Sequence, residues 1–160
     1  MGLNAHRQYI TPIKSDGTVE ESDGVETTYT NSRGVYTLAA GTTYYYLLPV
    51  HCCTMFDVHL THDSAIAITS ATIETCSHSK DDVSDVSAVA GEWIDQDPTT
   101  AFVGSVGAGA TVTNGVLAVV AGNAGGADWQ VSQCPAYRAR LEVVVGATPG
   151  EVRVGFCGKE

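Results

Sequence analysis

The chain has 160 residues and 16.7 kDa, the size of one ordinary domain, long enough to form a core without disulfide or metal staples. Apolar residues make up 44%, which excludes a wholly disordered chain. Lys and Arg total 8 against 18 Asp and Glu, for a net charge of −10, which argues against nucleic acid and anionic membrane surfaces as partners.

No stretch of about 18 apolar residues is present, so no membrane-spanning helix is expected. Met1–Arg7 lacks the apolar core of a signal peptide, so secretory export is not expected. The five cysteines, Cys52, Cys53, Cys76, Cys134 and Cys157, are odd in number and include an adjacent pair. That is a poor disulfide framework, and the spacings contain no zinc pattern. They read as reduced thiols acting as small apolar residues, with one long-range bridge as the alternative.

Residues 1–33 are polar, acidic at Asp16, Glu20, Glu21, Asp23 and Glu26, and poor in apolar groups. They read as an extended arm that docks elsewhere or as a pair of edge strands. Ordering a residue costs about 1–2 kcal/mol of backbone entropy, so an arm needs anchors. Leu3, Tyr9, Ile10 and Ile13 are the apolar cluster before the acidic stretch, and they are expected to bind a partner and be buried by another chain.

From Gly34 the texture is β. Gly34–Ala40 and Thr42–Val50 read as strands joined at Ala40-Gly41, and Pro49 marks a strand end. Tyr44, Tyr45 and Tyr46 put bulky groups on both faces of one strand. One face serves the core; the other is expected to serve self-association, unless both are buried within one domain. Met55–Leu60 and Ala65–Cys76 follow as strands, the second without one clean polar face. Within 77–100, Val83, Val86, Ala90 and Trp93 fall near helical spacing, while Gly91 and the valines favour a loop with a strand at 86–94.

Thr111–Thr113, Asn114-Gly115 and Val116–Val120 predict a hairpin with a two-residue turn. Gly122–Asp128 reads as a Gly/Ala loop. Tyr137–Gly146 and Glu151–Cys157 read as a second hairpin, turned at Ala147–Gly150. About eight short strands with polar turns predict an all-β, jelly-roll-like sandwich over 34–160.

Candidate chemistry is sparse. His51, Asp57, His59, His62 and Asp63 hold nitrogen and carboxylate ligands, but the parity of His59 and His62 is opposite, so no metal site is expected. His51 and Cys52-Cys53 are sequence neighbours, which strands point to opposite faces. No nucleophile elbow or phosphate loop is present. Asp81, Asp82, Asp85, Asp95 and Asp97 read as a solvated acidic loop. Arg138 and Arg140 beside Glu142 read as a surface ion-pair row. No catalytic residue and no cofactor is expected.

Four stretches carry a resemblance. They are Gly91-Glu-Trp93-Ile-Asp-Gln-Asp97-Pro98-Thr-Thr-Ala-Phe102-Val, then Gly122-Asn-Ala-Gly125-Gly126-Ala-Asp-Trp129, and Tyr137-Arg-Ala-Arg140-Leu with the ending Val152-Arg-Val-Gly-Phe-Cys-Gly158-Lys159. In their order, residues 34–160 resemble small β-rich structural proteins of tailed-phage virions. The resemblance implies a non-enzymatic virion component assembled in the host cytoplasm, of the capsid decoration or cement type. Such a protein bridges and stabilises neighbouring capsomers, binds the major capsid protein or another virion protein, and sits as a homotrimer. The alternative is a carbohydrate- or receptor-binding β-sandwich of a neck, tail or fibre, with Trp93, Trp129 or Tyr44–Tyr46 stacking on sugar rings.

Overall fold

The computed structural model describes residues 5–14, 34–50, 53–76, 94–95, 107–131 and 138–159. Among the described residues there is no helix. The strands are β1 Ala5–Tyr9, β2 Ile13–Lys14, β3 Val35–Leu38, β4 Thr43–Leu48, β5 Met55–His62, β6 Ile68–Cys76, β7 Ile94–Asp95, β8 Ala110–Thr113, β9 Val116–Val119, β10 Gly125–Val131, β11 Arg138–Val145 and β12 Gly150–Lys159.

They form two antiparallel sheets. The front sheet runs β1-β12-β5-β10, with β3 also paired to β12. The back sheet runs β2-β4-β11-β6-β9-β8, with β7 beside β6. Eight of the strands carry the topology, in the front order β3-β12-β5-β10 and the back order β4-β11-β6-β9. This is the strand order of a jelly roll. Every connection within this set except β6 to β9 passes from one sheet to the other.

The inner faces follow period-2 alternation. The front sheet contributes Phe56, Val58, Leu60, Trp129, Val154 and Phe156, all buried. Phe56 and Phe156 meet with ring centroids 5.9 Å apart. The back sheet answers with Tyr44, Tyr46, Ile73, Leu117, Leu141 and Val143.

β6 lacks a clean face in the sequence because it carries a bulge. Val144 pairs with Ser70 but Val145 pairs with Ile68, so Thr69 is the extra residue. The bulge turns both Ile68 and Ala71 inward. The Asn114-Gly115 turn forms as the sequence predicts, with φ of 50° and 73°, the left-handed pair that a tight two-residue hairpin requires.

Two expectations from the sequence are corrected. β11 and β12 are not a hairpin: β11 pairs with β4 and β6, and β12 with β1, β3 and β5. Each carries an apolar row, Leu141, Val143 and Val145 against Val152, Val154 and Phe156, and these rows are buried on the inner faces of opposite sheets. The loop expected over Gly122–Asp128 ends at Gly125, where β10 begins, because Ala127, Trp129 and Val131 supply an inward row.

The corner between β11 and β12 is held by Asp63. Its Oδ1 accepts from the backbone N–H of Ala65 (3.0 Å) and Ile66 (3.1 Å), and its Oδ2 accepts from Glu151 N–H (3.0 Å). Gly150 makes room for that carboxylate: a Cβ there would lie 2.5 Å from Asp63 Oδ1 and 2.6 Å from Ile66 N. Gly150→Ala should therefore destabilise the fold by about 1–3 kcal/mol, read as a lower urea midpoint with unchanged slope. An unchanged midpoint would mean that the corner yields freely.

The N-terminal segment is built into both sheets. β1 pairs with β12 from Ala5↔Lys159 to Tyr9↔Gly155, and Ile10 N–H donates to Val154 O at 3.0 Å. The chain then crosses to the back sheet, where Ile13 and Lys14 pair with Tyr45 and Tyr44. At Val35 it is again on the same edge of β12, opposite Arg153.

This corrects the expectation that Ile10 is buried by another chain. Ile10 is 7% exposed and belongs to the domain's own core, because the crossing carries it between the sheets. Ile13 is half-buried, Tyr9 is 43% exposed, and Leu3 lies outside the described residues.

Candidate functional site

Strand register sets out the outer face of the front sheet. Tyr9, Gly155, His59 and Asp128 form one cross-strand row over β1, β12, β5 and β10. Cys157, Asp57 and Gln130 form the next row, and Val35, Arg153, Thr61 and Gly126 the row on the other side. On β3, β5 and β12 these are the odd positions, whose even neighbours fill the core; on β10 they are the even positions, with Ala127, Trp129 and Val131 turned inward.

A groove of about 670 Å³ opens along these rows, with Tyr9, Gly155, Asp57 and His59 in its lining together with Gln8, Gly34, Tyr36 and Phe156. That volume falls inside the roughly 300–1,000 Å³ typical of small-molecule pockets. The guanidinium of Arg153 lies 5.2 Å from the Tyr9 ring centroid. His59 Nδ1 contacts Asp128 Oδ1, and both side chains are about half exposed. A carboxylate only accepts, so Nδ1 donates and Nε2 is the acceptor of the neutral ring. The His59 ring leans toward β10: its Cε1 is 3.6 Å from where a Cβ on Gly126 would sit.

Cys157 lines the same groove, but its direct cross-strand partner is Asp57 and the His59 ring is drawn toward the other neighbour strand. Cys53, Cys76 and Cys157 are present as thiols; Cys52 and Cys134 lie outside the described residues. His62 is buried, with Nδ1 donating to Asp63 O at 2.8 Å. Among the described residues no three His, Cys, Asp or Glu side chains come together as a metal-binding set. His51, Asp81, Asp82, Asp85 and Asp97 lie outside them, as do Trp93 and the helix-or-strand question over 77–93.

The outer face of the back sheet is closed where the sequence suggested a surface ion-pair row. Arg138 and Arg140 are buried. Arg140 Nε donates to Glu74 Oε2 at 2.5 Å, with the side chains 7% and 12% exposed, and its guanidinium lies 4.2 Å over the Tyr45 ring. Register makes Arg140 the direct cross-strand neighbour of Glu74.

The tyrosine run is also resolved. Tyr44 and Tyr46 are fully buried in the core, and Tyr44 accepts through its hydroxyl from Ala39 N–H at 2.9 Å. That corrects their assignment to self-association: inward parity and complete burial leave neither ring for a partner. Tyr45 alone points outward, half-buried.

Burial, and then the charge of Glu142, push the Tyr45 phenol above its ordinary value of 10.0, with Arg140 opposing. The folded chain thus holds this proton more tightly than the unfolded chain. Tyr45 contributes stability that is complete below about pH 10 and is lost as pH rises through the folded pKa. The wild type should therefore lose stability with pH above about 10 more steeply than Tyr45→Phe, followed by urea midpoints. Parallel curves would contradict the assignment.

Trp129, a candidate for sugar stacking, is 0% exposed. Its Nε1–H donates to Gly115 O at 2.9 Å, joining the front sheet to the β8–β9 turn. Among the described residues the exposed aromatic is Tyr9, which the sequence placed in an arm or an edge strand without fixing the face it occupies. Its position depends on the pairing of β1 with β12, between residues about 150 apart in sequence.

No family model matches the chain, and no curated protein matches it. Among solved structures, it is similar to the enzymatically active domain of tailspike protein 4 of bacteriophage CBA120. The TM-score is 0.45 at 11% identity, and the match covers 98% of this chain and 19% of that one.

Proposed function

We propose that this chain is a non-enzymatic structural component of a tailed-phage virion, of the capsid decoration type. It binds the major capsid protein or a neighbouring virion protein, bridges capsomers and so raises the barrier to shell rupture. The observation that supports this best is the jelly-roll strand order, with the N-terminal segment paired along one edge of each sheet. Jelly rolls recur in viral capsid proteins and lectins, an analogy at the level of fold. Pairing β1 into one sheet and β2 into the other ties the two layers together, which suits a part that bears load across a seam. The virion-like segment order in the sequence supports the same setting.

In this reading the protein is assembled in the host cytoplasm, resides on the particle and acts as a homotrimer. Of the tyrosine run only Tyr45 points outward, half-buried with the Arg140 guanidinium 4.2 Å from its ring, so self-contact there involves the Tyr45–Arg140 pair. Particles assembled without this chain should rupture at lower temperature, and adding the purified chain back should restore the rupture temperature. A rupture temperature indifferent to the chain would overturn the bridging role.

A further inference from the structure

We infer that the groove on the outer face of the front sheet is a binding site for a neutral saccharide. The inference goes beyond the structural role and does not depend on where the protein resides.

The row Tyr9–Gly155–His59–Asp128 is the basis. Neighbouring strands lie about 4.8 Å apart, so Tyr9 and His59 stand two strands, roughly 10 Å, apart. Between them Gly155 contributes only backbone. A Cβ there would touch nothing nearer than 3.9 Å, at Tyr9 Cδ1, Tyr9 Cε1 and His59 O, so the backbone tolerates a side chain that the slot does not contain. The result is a narrow floor between an aromatic wall and a polar wall.

Each wall suits one side of a sugar ring. Tyr9, 43% exposed, offers an amphipathic aromatic surface to the C–H face of a pyranose. Asp57 offers carboxylate acceptors to ring hydroxyls. His59, oriented by Asp128 through Nδ1, offers Nε2 as a hydrogen-bonding nitrogen; Asp128 is a positioning residue. Charge disfavours acidic ligands, because Asp57 lines the groove and Asp128 stands behind His59 in a chain of net charge −10, which outweighs the single Arg153 guanidinium beside Tyr9. The occupant is therefore a neutral saccharide and not an acidic glycan or a nucleotide.

The test uses the full purified chain and immobilised neutral glucans, galactans and N-acetylglucosamine oligomers, with sialylated and sulfated glycans alongside. At least one neutral class should bind. Asp57→Asn and Tyr9→Ala should each weaken binding about tenfold, the size expected for losing one charge-assisted acceptor or one aromatic contact. Gly155→Val, which fills the slot from an accommodating backbone position, should abolish it. Each variant is checked by its urea midpoint, and Asp57→Asn decides the matter should Tyr9→Ala loosen β1. No binding to any neutral class at millimolar concentration would overturn the inference. So would preference for the acidic glycans, or binding that survives both Asp57→Asn and Gly155→Val.

Discussion

Replacing Glu74 by Gln is expected to cost the fold about 3–5 kcal/mol, the range for breaking a buried ion pair by removing one partner. For a chain of this length that lowers the melting temperature by roughly 10 °C. Arg140, 7% exposed, would keep its charge, its place over Tyr45 and its buried surroundings, but lose the carboxylate that Nε now meets at 2.5 Å. The cost comes from leaving Arg140 buried without the Glu74 charge, more than from the pair itself. The double replacement Glu74→Leu with Arg140→Met should accordingly be far milder than the single change. Equal losses in the single and double variants would show that packing, and not charge, holds this face closed.

Trp129→Ala should be as damaging, by about 3–5 kcal/mol, the range for truncating a buried aromatic. The indole is 0% exposed, and its N–H is the link between β10 in one sheet and Gly115 in the hairpin turn of the other. Trp129→Phe should recover most of the packing but leave Gly115 O without this donor, an intermediate loss. Thermal melts of the three proteins give the order wild type, Phe, Ala. A Trp129→Ala variant with unchanged melting and lost glycan binding would instead make this residue a ligand contact.

The strands were legible where alternation and turn chemistry agree. Asn114-Gly115 demands left-handed backbone, and the hairpin of β8 and β9 forms around it. Alternating Val and Leu in β11 and β12 marks strands, but it fixes only which side of each is apolar. Whether two such strands pair or face each other across a core is decided by partners distant in sequence, and the short turn at Ala147–Gly150 serves an arch as readily as a hairpin. The Arg138 and Arg140 row misled for a related reason: parity places them outward, and only the register with β6 brings Glu74 against Arg140. The groove was not legible at all. Its lining comes from β1, β3, β5 and β12, and Gly155 has meaning only once Tyr9 and His59 stand on either side of it.

The claim that this jelly roll belongs to a virion is tested most directly by its copy number in purified particles. Quantitative mass spectrometry of gradient-purified particles should find the chain at a fixed, simple ratio to the major shell protein, unchanged through repeated purification. A chain that is absent from the particles, or present in trace and variable amounts, would contradict the account.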